Sequence, residues 1–329
     1  YSNDAGATFN YLIVGSTPAA NLSYSWIIPD DASTQVRVRI SDIGDATVFD
    51  TTDANFTIRA GFNVTSPVGG ESWAVGDTQN ITWTTGGTVP NVRLEYSINA
   101  GASYLNIIAS TVNTGNYPWL IPDSITTQGR VRVSDVNDPL AADISLANFK
   151  IHGTFAITSP NGGEQWSVGS TQAVTWTKTG SIANAKLEYS TDGGATYPNL
   201  IIGSTAAGPL SYNWTIPDAI SSSVKVKITD VTDSTVTDES NNVFKIKGQF
   251  TITSPNGSES WIVASPHNIT WGTLGSVANV KLEYSTDAGG TYTSIIGSTP
   301  NAGTYAWVIP DAITAQAKVR VSDVSDSSD

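Results

Sequence analysis

The side chains here that could do chemistry are concentrated in acidic turns. Three aspartates recur at one spacing after each of three Val/Arg- or Val/Lys-rich runs: Asp42, Asp45 and Asp50; Asp135, Asp138 and Asp143; Asp230, Asp233 and Asp238. Carboxylates crowded in one loop, with Ser hydroxyls and carbonyl oxygens beside them, could supply the roughly six to eight oxygens of a calcium cage. Calcium is thus the cation that Asp135, Asp138, Asp143, Asp230, Asp233 and Asp238 could hold, and no cofactor is required. The competing reading is structural. Aspartate favours turns because its carboxylate accepts hydrogen bonds from nearby loop N–H groups, and the spacing D-x-x-D-x4-D matches no defined calcium loop.

Other catalytic constellations are absent from the sequence. There is no cysteine, which excludes a disulfide framework, thiolate metal ligation and a Cys nucleophile. The two histidines, His152 and His267, do not recur between repeats and have no evident partners for a triad or a zinc site. A net charge of −13 disfavours nucleic acid and anionic membrane surfaces, which need clustered Lys and Arg. No apolar run approaches the roughly 18 residues of a membrane span. These exclusions point away from an enzyme.

The elements that must carry these residues come from a tandem repeat. Ile-Pro-Asp occurs with its proline at Pro29, Pro122, Pro217 and Pro310, a recurrence of 93 to 95 residues. SPVGGESW from Ser66, SPNGGEQW from Ser159 and SPNGSESW from Ser254 keep the same period. Within one unit, Ala185-Lys186-Leu187-Glu188-Tyr189 and Val224-Lys225-Val226-Lys227-Ile228 alternate apolar and charged residues, the mark of a half-buried strand. Turn clusters separate about seven such runs per unit, so the fold expected is all-β, with tandem immunoglobulin-like antiparallel sandwiches. The boundaries fall at 1–60 for a partial repeat, 61–153 and 154–248 for complete ones, and 249–329 for a repeat short of its last strand. Links of about three residues between units predict a stiff array. Tyr1 aligns with Tyr96, well inside a unit, so the chain reads as a window on a longer array.

The alternation also sorts the remaining candidates. The ten tryptophans lie in phase with Ile, Tyr and Val, which favours core packing over an aromatic sugar platform. Lys225 and Lys227, or Arg130 and Arg132, form a basic stripe that Glu188 or Glu95 on the neighbouring strand can pair with. Sequons at Asn21, Asn55, Asn63, Asn80, Asn213, Asn256 and Asn268 would allow glycan attachment, with Asn63 and Asn80 on outward strand positions.

The run SPNGGEQW, VTW, KLEYSTDGGATY, WTIPD, KVKITD resembles an Ig-like repeat of large bacterial and archaeal surface proteins. It is similar to the N-terminal Ig-like domain family of yeast cell-wall glucan-assembly proteins, which includes Ser/Thr-rich anchored surface proteins. The resemblance covers every unit and implies an extracellular sandwich in a wall, adhesive or structural role, with no catalytic site. Ser190-Thr-Asp192-Gly-Gly194-Ala-Thr-Tyr197 also resembles the Asp-box hairpin of sialidase propellers, where the aspartate satisfies backbone N–H groups; Asn99 replaces it in the second copy. The function expected is a non-catalytic structural segment of a long extracellular or cell-surface protein: a stalk, sheath or filament. Its partners would be neighbouring repeats or other copies of the chain. The alternative is an adhesin or accessory module binding glycans or protein through its loops.

Overall fold

The structure, a computed structural model, describes residues 1–326, and the chain falls into two compact units, Tyr1–Gly153 and Thr154–Asp329. The second unit contains a complete sandwich. Strands Thr154–Ser159, Thr171–Thr179 and Ser211–Thr215 form a three-stranded antiparallel sheet with the long strand in the middle. The facing sheet runs Gln165–Ser167, Phe244–Lys247, Ser221–Asp230, Asn184–Ser190, Asn199–Ala206, and short Thr237–Glu239 also pairs with Ser221–Asp230. Gln165–Ser167 pairs in parallel with Phe244–Lys247 while its other neighbours pair antiparallel.

Alternation explains why these strands close on one another. Val174 and Trp176 point inward from one sheet, and Leu187, Val224, Val226, Ile228, Phe244 and Ile246 point inward from the other, all buried. Trp166 packs on Phe244 with ring centroids 4.8 Å apart, and Trp214 meets Trp166 edge-on at 6.1 Å. Trp176 donates its indole N–H to the Ala207 carbonyl at 3.3 Å, so the large ring is buried without an orphaned donor.

The first unit holds the same sandwich in residues 61–152. Its three-stranded sheet is Gly61–Ser66, Thr78–Gly86, Asn116–Leu120, and its larger sheet runs Ser72–Ala74, Phe149–His152, Thr126–Asp135, Asn91–Ser97, Leu105–Val112. The tryptophans at core positions Trp73, Trp83, Trp119, Trp166, Trp176, Trp214 and Trp271 are buried. Trp26, Trp261 and Trp307, in the two partial repeats, are half-buried. Residues 1–58 make a smaller core from Tyr1, Val36 and Ile58, with Trp26 and Phe56 against it. Tyr24-Ser-Trp26 aligns with strand residues Tyr117–Trp119 yet is not a strand, because the strand that Asn116–Leu120 pairs with, Thr78–Gly86, has no counterpart in residues 1–23. At the other end of the chain, Gln249–Ser254, Pro266–Leu274 and Thr304–Val308 face Asn279–Ser285, Thr293–Pro300 and Lys318–Asp323 around Ile269, Trp271 and Leu282. Among the described residues no helix is long and apolar enough to cross a membrane.

Candidate functional site

The acidic turns follow the strands Thr126–Asp135 and Ser221–Asp230, and the first two carboxylates of each accept hydrogen bonds from their own turn. Asp135 Oδ1 accepts the Asn137 N–H at 2.8 Å. Asp230 Oδ1 accepts both the N–H and the hydroxyl of Thr232, at 2.8 Å each. Asp138 Oδ1 accepts the Leu140 N–H at 3.1 Å, and Asp233 Oδ1 accepts the Thr235 N–H at 3.2 Å. The third aspartate reaches across the sandwich: Asp143 Oδ2 accepts the Val64 N–H, and Asp238 Oδ2 the Ile157 N–H, each at 2.7 Å. Those N–H groups lie where the first strand slips register against its partner, between Val64 and Ser66 and between Ile157 and Ser159. A carboxylate there fills the gap left in the ladder. Among the described residues no group of three or more His, Asp or Glu side chains is gathered as a metal would need.

The Gly-Gly-Glu markers have a related role. Glu71 caps its own turn through the N–H groups of Val68 and Gly69, both at 2.7 Å, and Glu164 does so through Asn161 and Gly162, both at 2.8 Å. The two histidines stand apart. His152 Nδ1 lies 2.7 Å from the Gly153 carbonyl, and His267 stacks flat on Trp261 at 4.6 Å. The basic stripe pairs in two ways. Arg132 Nε and Nη2 both reach Glu95 Oε2, at 2.9 and 2.6 Å, as the alternation suggested. Lys225 instead pairs with Glu239 at 3.2 Å, while Glu188 binds Lys186 on its own strand at 2.9 Å.

Another arrangement occurs in each unit, at the passage from one repeat to the next. In the first unit Asp30, the aspartate of Ile-Pro-Asp, accepts the Thr88 N–H on Oδ1 at 2.8 Å and the Thr88 hydroxyl on Oδ2 at 2.5 Å. In the second unit Asp218 takes the Ser276 N–H at 2.9 Å and the Ser276 hydroxyl at 2.5 Å in the same way. These bonds, the hydroxyl's first and the N–H's second, hold both carboxyls below the usual carboxylate range. The glycine before each hydroxyl residue is required. Gly87 and Gly275 have φ of +92° and +94°. A Cβ on Gly275 would stand 3.1 Å from Ile220 Cδ1 and from Val168 Cγ2, and one on Gly87 would stand 3.0 Å from Asp30 Oδ1.

A second tie accompanies the first. Arg59, just past the strand Phe56–Ile58, pairs with Asp138 at 2.7 Å. Lys245, on Phe244–Lys247, pairs with Asp326 at 2.7 Å. Asp326 stands where Asp138 does in the repeat frame, so the middle aspartate of the acidic turn receives a cation from the preceding repeat in both units. These ties are what sequence reasoning missed. The signal was present as a spacing: each of the first three Ile-Pro-Asp aspartates precedes a Gly-Thr or Gly-Ser pair, Gly87-Thr88, Gly180-Ser181 or Gly275-Ser276, by the same number of residues.

No family model and no curated protein matches this chain. Solved structures do. Fibronectin(III)-like modules of Clostridium thermocellum CbhA are similar at 17% identity, covering 56% of this chain and 94% of theirs, with a TM-score of 0.20. The N-terminal four Ig domains of Dscam1 isoform 6.44 are similar at 10% identity over 84% of this chain and 73% of theirs, with a TM-score of 0.27. Sidekick-1 immunoglobulin domains 1–5 are similar at 9% identity over 87% and 64%, with a TM-score of 0.26. Each is a protein of consecutive Ig or fibronectin-type modules, and nothing functional passes from them to this chain.

Proposed function

We propose that the chain is a non-catalytic structural segment of a long extracellular or cell-surface protein, forming a stiff stalk, sheath or filament from repeats divided near 60/61, 153/154 and 248/249. The repeat junction is the observation that carries this reading. In each unit a carboxylate accepts two hydrogen bonds from the next repeat's turn, and a separate ion pair ties the same two repeats at a second point. Two ties on a link of about three residues leave little freedom for bending or torsion. A partly exposed ion pair adds only tenths of a kcal/mol, so the ties act by fixing direction more than by adding stability. The extracellular setting rests on the resemblance that the repeat sequence carries.

The test is the distance distribution between spin labels placed on either side of a junction, read by pulsed electron resonance on the full chain. The wild type is expected to give a narrow distribution, which Asp30→Ala with Asp218→Ala broadens while the sandwiches melt as before. Acid should act the same way. Because the folded carboxyls lie below their ordinary value, their contribution is complete above the unfolded pKa of about 3.9 and is lost as pH falls through the depressed folded value. Equally broad distributions in wild type and variant at neutral pH would overturn the reading.

A further inference from the structure

Charge is segregated across the repeat. In residues 154–248 the Lys and Glu pairs Lys186–Glu188 and Lys225–Glu239 lie on the middle strands of the larger sheet and on short Thr237–Glu239. The outermost strand of that sheet, Asn199–Ala206, reads NLIIGSTA and carries no charge. Its counterparts, LNIIASTV in Leu105–Val112 and TSIIGSTP in Thr293–Pro300, are uncharged as well. All three pair with a neighbour on one side only. Leu105 is 47% exposed, Leu200 61% and Val112 65%.

Across the open mouth of the sandwich, the facing edge strands Asn116–Leu120, Ser211–Thr215 and Thr304–Val308 are uncharged too. Between the two edges in residues 61–153 lies a cleft of about 350 Å³ lined by Tyr96, Ile107, Tyr117, Trp119 and Leu120. Residues 1–60 have a cleft at the same repeat position, lined by Tyr1, Leu12, Tyr24, Trp26 and Ile27.

Soluble proteins commonly guard such edges with lysine, proline or inward charge, because an unpaired strand is a template for another. Here two register shifts against the inner neighbour twist the edge, and Pro300 ends the last of the three strands, but no charge stands on any of them. We propose that this edge is a pairing surface for a second copy of the chain, joined strand to strand in antiparallel fashion so that the larger sheet continues from one molecule into the next. Two identical strands paired this way are self-complementary, each satisfying the other's backbone groups. Charge selects the approach. Two chains of net −13 repel when their charged sheets face each other, and the uncharged edge is where that repulsion is least. One strand pair is small against the roughly 1,200 Å² of a stable interface, so the pairing is expected to be weak and to depend on concentration. The inference names the partner for the structural role proposed above and rests on that role only for its setting.

Sedimentation velocity of the full chain over rising concentration, in low and high salt, tests it. Association is expected, and it should strengthen with salt as the net charge is screened. Ser110→Lys, Ser204→Lys and Ser298→Lys together, all at exposed edge positions, should weaken it about tenfold or more through like-charge contact across the pair. Thr84→Lys, Thr177→Lys and Thr251→Lys, on the outer face of the three-stranded sheets, add the same charge away from the edge and should not weaken it. The same three edge serines changed to Glu provide a second set, and circular dichroism with melting confirms that each variant folds. A chain that stays monomeric throughout, or association that neither edge set weakens, would overturn the proposal. The junction measurement above is made on single chains, so its outcome is independent of this one.

Discussion

Two hairpin turns occupy the same place in successive repeats and differ by one charge. In the turn from Ser190, Asp192 Oδ1 accepts the Thr196 N–H at 3.0 Å, and Ser190 Oγ accepts the Gly194 N–H at 2.9 Å. In the turn from Ser97, Asn99 Oδ1 accepts the Ser103 N–H at 3.0 Å, and Ser97 Oγ accepts the Gly101 N–H at 2.9 Å. The backbone bonds are the same. What changes is the last proton: Thr196 donates its hydroxyl to Asp192 at 2.6 Å, whereas Asn99 donates its amide to Ser103 at 2.9 Å. A neutral oxygen serves as well as a carboxylate, so this position needs an acceptor and does not need a charge. The same economy explains the Asp-rich turns, whose carboxylates are spent on N–H groups.

The comparison extends to the tyrosine that ends each turn. Tyr197 donates its hydroxyl to Glu239, which together with burial raises its pKa well above the ordinary value, burial contributing most. In the repeat frame Ile144 stands where Glu239 does, and among the described residues the buried Tyr104 hydroxyl has no hydrogen-bond partner. Removing the two hydroxyls should therefore have unequal effects. Tyr197→Phe is expected to cost about 0.5–1.5 kcal/mol, the ordinary worth of a hydrogen bond, while Tyr104→Phe should be neutral or slightly stabilising. Urea melts of the two variants measure this, and equal losses would break the contrast.

Acid should separate the turns next. Hydrogen bonds from Ser190, then from the Thr196 hydroxyl and N–H, hold the Asp192 carboxyl well below the usual range. Its contribution is thus complete above about pH 4 and fades as pH falls through the lower folded value. Asp192→Asn should leave the melting temperature at pH 7 unchanged and flatten its fall toward pH 2. Asn99→Asp should steepen that fall. Identical acid limbs for wild type and Asp192→Asn would show that the charge is irrelevant to stability even where it is present.

Calcium should have the smallest effect. With Asp135, Asp138, Asp143, Asp230, Asp233 and Asp238 each accepting hydrogen bonds from the chain, millimolar calcium against chelator is expected to leave the melting temperature unmoved. A rise of several degrees, abolished by Asp138→Asn and Asp233→Asn, would mean that these turns exchange their hydrogen bonds for a cation.

The sandwich could be read from the sequence because alternation states which side of a strand is buried, as in Lys186-Leu187-Glu188 and Lys225-Val226-Lys227. Tryptophan placement followed from the same phase. The junction could not be read so directly. Asp30 and Thr88 lie on different repeats, and neither residue type marks a contact when taken alone. Asp143 and Asp238 looked like members of a local cluster because they are near Asp135 and Asp230 in sequence. Their bonds to Val64 and Ile157 run across the sandwich, to a register slip that alternation does not reveal. The pairing of Lys225 with Glu239 in place of Glu188 likewise depended on a three-residue strand too short to show a pattern.

The clasp has a consequence for how such a chain can change over generations. In sequence, residues 61–153 and 154–248 each hold both halves of the joint, a Gly-Thr or Gly-Ser pair (Gly87-Thr88, Gly180-Ser181) and an Ile-Pro-Asp aspartate (Asp123, Asp218). A duplication or deletion of one whole period, wherever its breakpoints fall within the unit, would recreate a matched pair at the new seam. Length can therefore drift by recombination alone, with no new interface to be invented.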